Sequence, residues 1–412
     1  MSYQAIFVKR WRNLGFVALL SMTGAAAFST APAFAADGPV PDSQQQSSSL
    51  NPQNFMPDPP FVKAKAWVLM DAKSGNVIYQ HDEHEHLPPA SLTKLMTAYT
   101  AEYEMAAGRL NMDDKATVSE NAWRTGGSRM FLKPHTQVSI GDLLHGLIVV
   151  SGNDAAVAIA EHIAGSEQSF AQLMNEHAQM LGLKDTHYEN PTGLPVENHY
   201  TSAYDLAELS RHIIYDFPQN YKIYADKHFT YNNIKQPNRV LPLWRDSRVD
   251  GLKTGFTKAA GYCMVISGHQ NGTRLIAVVM GTDSEAARSR EAEKLINYGL
   301  RYYHTRKLFN KGQVVENARV WGGADSTVPV GFDDDVNVTL AQNQQSDLSQ
   351  RVELKSNIEA PIKQGDVLGK LTVLHKDKVI TTHDIVALKS DDQGGFIRRG
   401  WDSIVRTVTG WI

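Results

Sequence analysis

The chain is predicted to be α+β: an antiparallel sheet carrying a helical cluster, then a small all-β domain and an amphipathic C-terminal helix. Three patterns predict this. Hairpin-like strand pairs stand at both ends of one long region, helix-period segments fill the interval, and after about Lys311 the chain changes to short alternating apolar runs. With 412 residues there is room for two or three domains with their own cores.

The first 35 residues combine a basic segment (Lys9, Arg10, Arg12), an apolar stretch from Leu14 to Phe28 and the small-residue pattern Ala33-Phe34-Ala35. This is the layout of a secretory leader with cleavage before Ala36. The apolar run is shorter than the roughly 20 residues that span a bilayer. Residues 36–60 are rich in Pro, Ser and Gln and read as a linker.

A first domain is expected over 61–311. "AWVLMDAKSGNVIYQ" gives two strands around Lys73-Ser74-Gly75-Asn76, and "GYCMVISGHQNGTRLIAVVMG" gives two more around Asn271-Gly272. Between them, residues 91–107, 140–150, 153–164, 168–181 and 203–215 have helical periodicity. Cys263, the single cysteine, permits no internal disulfide and reads as a small buried strand residue.

A β-rich domain is expected over 312–392, from runs such as "VNVTLA" and "RVELKS". In the tail, 394–412, helical spacing of about 100° gathers Ile397, Trp401, Ile404, Val405, Val408, Trp411 and Ile412 into an arc of about 120°, with the arginines outside it. Such a helix suits a membrane interface and is too short and polar to span. With 41 basic against 44 acidic residues and a net charge of −3, the chain has no footprint for nucleic acid.

The chemistry starts at "LPPASLTKLMTAY". Ser91 and Lys94 stand three apart where a helix begins, so they share a face. A serine hydroxyl is a weak nucleophile until a base takes its proton. Lysine serves only when neutral, and lowering its pKa from about 10.4 to about 8 costs roughly 3 kcal/mol. Burial and a second cation nearby supply that shift. The pair alone decides nothing, but Ser151-Gly152-Asn153 follows between two apolar helices, and Lys253-Thr254-Gly255 opens a strand, with a glycine where a ligand could approach the backbone.

This ordered trio, SxxK, SxN and KTG, resembles the signature of penicillin-binding proteins and serine β-lactamases. With "SRMFLKP", "LGLKDTHYENPTGLP", "SREAEKLINYGLRYY", the β-rich domain and the tail, the chain is similar to the membrane-associated D-alanyl-D-alanine carboxypeptidases. The resemblance implies a penicillin-binding protein/β-lactamase-like catalytic domain and a two-step acyl transfer on peptidoglycan stem peptides, with β-lactams as covalent inhibitors and no cofactor. It implies that Ser91 is the nucleophile, Lys94 its base, and Ser151 a proton relay. Asn153, Lys253, Thr254, Gly255 and Phe256 would bind substrate: Lys253 beside Lys94 would depress its pKa and, with Thr254, hold the substrate carboxylate, and the oxyanion would sit between the N–H groups of Ser91 and Phe256. Some carboxypeptidases of this group have histidine where this chain has Phe256. The implied location is the periplasm, on the outer face of the inner membrane.

Two rivals stand beside this reading. A β-lactamase would share the acylation machinery, but the class with a deacylating glutamate has an ExxLN-like loop where this chain reads "HYENPTGLP". An idle scaffold would bind wall peptides without turnover. "HDEHEH" at 81–86 invites a metal through His81, His84 and His86, but reads as a solvated loop, so no metal is assigned.

Overall fold

The computed structural model describes residues 3–10, 56–344 and 347–396. Its centre is a five-stranded antiparallel sheet in the order Val77–His81, Ala66–Asp71, Thr273–Thr282, Gly261–Gln270, Val249–Thr257. The two expected hairpins are both present, and Ala66–Asp71 pairs with Thr273–Thr282 to join the ends of the domain.

Alternation along these strands sends Val68, Met70, Val265, Ile276 and Val278 into a core under the helical cluster. Their neighbours Trp67, Leu69, Ile266, Leu275 and Ala277 enter a second core on the opposite face. Helix Glu285–Tyr302 covers that face with Leu295, Ile296 and Leu300. Both faces are therefore buried, which explains near-continuous apolar runs such as "AWVLM".

The helical cluster comprises Lys94–Ala106, Ile140–Ile148, Asn153–Ala164, Glu167–Met180 and Ala203–Asp216. Ser139, Ser166 and Ser202 cap three of these helices, each accepting a backbone N–H of the first turn; such caps contribute about 1 kcal/mol each.

Folded packing starts upstream of Phe61: Met56 leans on the second core, and the Tyr298 hydroxyl donates to Pro57 O. The β-domain likewise begins before 312, because Tyr303–Phe309 leaves the last helix directly into a ladder with Val336–Ala341. The remaining β-domain strands form one antiparallel sheet around their own core, which includes Val330, Leu371 and Ile385. Tyr3–Arg10, within the segment read as a leader, pairs along the edge strand Leu348–Lys355. The rest of that leader, most of the linker and the tail helix from 397 onward lie outside the described residues. Among the described residues no helix is long and apolar enough to cross a membrane.

Candidate active site

Ser91 sits in a 3-10 turn, Ala90–Thr93, immediately ahead of the helix Lys94–Ala106. Tight winding brings its side chain over that of Lys94, and Lys94 Nζ donates to Ser91 Oγ at 3.1 Å. Ser91 is partly exposed, whereas Lys94 is buried. The second donation from Lys94 Nζ goes to the backbone carbonyl of Thr192 at 2.7 Å. That loop lies tight against the nucleophile turn: Gly193 has φ +81°, and a Cβ there would sit 1.8 Å from Ala90 O.

Ser151 and Lys253 form the second pair, with Nζ donating to Oγ at 2.7 Å. Ser151 projects from the turn between Ile140–Ile148 and Asn153–Ala164 with φ +62°, a conformation rare for a residue with a side chain. Lys253 lies on the edge strand Val249–Thr257, also donates to Thr254 O, and is close enough to Lys94 for their charges to repel. Two serines and two lysines remote in sequence thus meet in one buried cleft.

Electrostatics favour a neutral amine on Lys94. Burial is the largest cause of its lowered pKa, followed by the Arg239 guanidinium, and together they bring it to about 7. The sequence reading placed that influence on Lys253. Repulsion between the two ammonium groups is mutual, Lys253 being held well below the usual lysine range by burial first and by Lys94 second, and Arg239 is a further cation acting on Lys94.

Gly255 has a packing role as well. A Cβ there would lie 2.9 Å from Pro89 O and 3.3 Å from Ala90 Cβ, so the glycine admits the nucleophile turn. Phe256, next along the strand, is half exposed and rests on Tyr262 at 4.2 Å between ring centroids. Arg288 stacks on the Tyr262 ring and donates to Gly255 O, fixing the backbone on which Phe256 sits.

Asn153 donates its backbone N–H to Ser128 O and its Nδ2 to Gly126 O; Oδ1 is buried without a hydrogen-bond partner among the described residues. The same 126–132 segment is held by Asp154, whose carboxylate accepts from the N–H groups of Met130, Leu132 and Ala155. Asp154→Ala would leave three N–H groups without their acceptor, and a loss of about 3 kcal/mol or more in unfolding free energy is expected, read as a lower urea midpoint. An unchanged midpoint would show that the segment is held elsewhere.

Sequence reasoning missed Arg239, Arg288, Thr192 and Asp154. The requirement for a cation beside Lys94 was legible, but nothing local marks Arg239, whose guanidinium donates to Ser128 Oγ across 111 positions. Cys263 is buried on its strand, and burial pushes its thiol up to about 11. His84 and His86 turn to opposite oxygens of Asp185, and among the described residues no group of three or more potential ligands is placed to hold a metal.

The sequence pattern of the peptidase S11 family, D-alanyl-D-alanine carboxypeptidases, matches residues 53–284. The chain belongs to this family. The C-terminal domain pattern of penicillin-binding protein 5 matches residues 303–393 of this carboxypeptidase, in agreement with the early start of its β-domain. D-alanyl-D-alanine carboxypeptidase DacC of Escherichia coli K12 is 39% identical over 360 residues, covering 85% of this chain and 90% of that protein. Penicillin-binding protein 5 from Haemophilus influenzae superposes with a TM-score of 0.77 at 40% identity, covering 82% of this chain and all of that one. Penicillin-binding protein D2 from Listeria monocytogenes in its ampicillin-bound form gives a TM-score of 0.54 at 27% identity over 59% of this chain and 99% of that one.

Proposed function

We propose that this carboxypeptidase removes the terminal D-alanine from peptidoglycan stem pentapeptides through an acyl-Ser91 intermediate. The reading rests on the Lys94–Ser91 contact inside a cleft shared with Lys253 and Ser151. Once neutral, Lys94 accepts the Ser91 proton as Oγ attacks the carbonyl of the D-Ala-D-Ala bond. Ser151 passes a proton to the departing amine, and D-alanine leaves. Water then attacks the ester, releasing the shortened peptide and restoring the Ser91 hydroxyl. Lys253 and Thr254 hold the terminal carboxylate, and Asn153 Oδ1 accepts an N–H of the peptide. The backbone N–H groups of Ser91 and Phe256 stabilise the oxyanion, each such donor contributing about 3 kcal/mol in the transition state. β-Lactams acylate the same hydroxyl. Incubation with a pentapeptide followed by mass measurement tests the reading: the product is expected lighter by one D-alanine, and an unaltered peptide would leave only a binding scaffold.

The base carries a pH signature. With Lys94 at about 7, acylation is expected to rise about tenfold per pH unit below that value and to level off above it. Stopped-flow penicillin acylation between pH 5 and 9 measures this, and a flat profile would remove Lys94 as the base.

The location proposed is the periplasm, with residues 1–35 cleaved and the last helix lying on the inner membrane. The support is the basic, apolar and small-residue order of the N-terminus and the one-sided apolar arc of 397–412. Deleting 394–412 is expected to move the processed enzyme from the membrane fraction to the soluble one with activity retained. Continued sedimentation with membranes would contradict the anchor.

A further inference from the structure

The turn that carries Ser91 has little to hold it from within. Ala90 opens it at φ +49°, a conformation that residues with side chains seldom adopt, and among the described residues neither the turn nor the helix Lys94–Ala106 behind it has a side-chain cap. Its setting must come from what it packs against. The close approaches at Gly193 and Gly255 are steric and direct no atom. A third contact is directional: Thr93, the last residue of the turn, is fully buried, and its Oγ1 lies 2.8 Å from Nε2 of the buried His199.

The roles in that hydrogen bond are fixed by the other side of the ring. Nδ1 of His199 accepts the N–H of Glu189 at 3.1 Å, so the ring proton sits on Nε2, which donates to Thr93 Oγ1. Burial, with His187 nearby, brings this imidazole down to about 4, and it stays neutral over the range in which Lys94 titrates. His199 is also rigidly mounted. Tyr200 pairs through its backbone with His187, Thr201 pairs with Leu87, and the ring meets buried Tyr188 edge-on with centroids 5.7 Å apart. The chain between Glu189 and His199 further supplies the Thr192 carbonyl to Lys94 and the Pro191 carbonyl to Thr97 Oγ1 at 2.7 Å. One segment thus grips the start of the helix at Thr93, Lys94 and Thr97.

We propose that His199 is a positioning residue for acylation: its Nε2–H holds Thr93, and through it the turn Ala90–Thr93, where the Ser91 hydroxyl meets the Lys94 amine. The assignment rests on Ser91 and Lys94 acting as nucleophile and base. Among the described residues His199 makes no hydrogen bond to either of them, and Lys253, Thr254 and Asn153, the groups assigned to substrate, lie on other elements. Losing its bond to Thr93 should therefore slow attack by Ser91 while leaving the affinity for penicillin unchanged, since small misplacements of reacting groups cost rate steeply.

Stopped-flow acylation of the full chain over a range of benzylpenicillin concentrations separates the two quantities. Thr93→Val, which removes one hydroxyl, is expected to lower the saturating rate about tenfold or more, with half-saturation within about twofold of wild type. His199→Ala should match it, and the double variant should be no slower than the slower single one, because all three lose the same bond. His199→Gln, whose amide still donates to Thr93, should return to within about threefold of wild type. Saturating rates unchanged in both single variants would overturn the proposal, as would losses that multiply in the double variant. A defect confined to half-saturation, or to the number of molecules acylated, would show general loosening and equally end it. If His199→Ala does not fold, Thr93→Val and His199→Gln decide alone. A wild-type enzyme that forms no adduct at Ser91 would instead sink the acylation reading, and this assignment with it.

Discussion

Replacing Ser91 with alanine is expected to abolish the covalent penicillin adduct and to lower D-alanine release by roughly ten-thousand-fold or more. Ser91 is partly exposed on its turn, and its hydroxyl lies within reach of a depressed lysine. Its removal deletes one hydrogen bond, while Lys94 keeps the Thr192 carbonyl as acceptor. Stability should therefore move by no more than about 1 kcal/mol. Mass spectrometry of the penicillin-treated protein reads the adduct, and circular dichroism confirms the fold. Substantial D-alanine release by a well-folded variant would transfer the nucleophile's role to another residue.

Lys94→Met is expected to silence acylation as completely and yet to make the protein more stable at neutral pH. A fall from 10.5 to about 7 corresponds to about 5 kcal/mol at about 1.36 kcal/mol per pH unit. Methionine removes that penalty and keeps most of the volume, but leaves the Thr192 carbonyl without its donor, at a cost of about 1–3 kcal/mol. The net gain should be about 2–4 kcal/mol in a denaturant titration. Its pH dependence has a definite sign. Below pH 7 folded and unfolded chains both hold the Lys94 proton; between 7 and 10.5 only the unfolded chain does. Wild-type stability thus rises with pH across that window, and the advantage of the methionine variant narrows. A variant less stable at pH 7 would mean that the Lys94 hydrogen bonds outweigh the burial of its amine.

The catalytic domain was readable because its signals are local. The turn residues of two hairpins, the 3.6-residue period of five helices and three short motifs all lie within windows of a few residues. The covering helix Glu285–Tyr302 escaped because its outward face is strongly charged, and the strands at 228–231 and 234–237 because their polar alternation leaves little apolar pattern. Ser91 and Lys94 were paired from their spacing alone. Arg239, Arg288 and the Thr192 carbonyl were out of reach, since each joins the site through tertiary packing that no short window encodes. At Gly255 the sequence marks a spot where a Cβ is not tolerated, and only packing says that the nucleophile turn occupies the space.

The acceptor that steadies Lys94 is a main-chain oxygen, that of Thr192. Point mutations at residue 192 therefore leave this tether chemically intact, whatever side chain they install. Only a change in the loop's length or path can detach it, and with Gly193 pressed on Ala90 there is little slack for either. Divergence in this protein should accordingly accumulate as substitutions along that loop, with insertions and deletions displaced to its flanks.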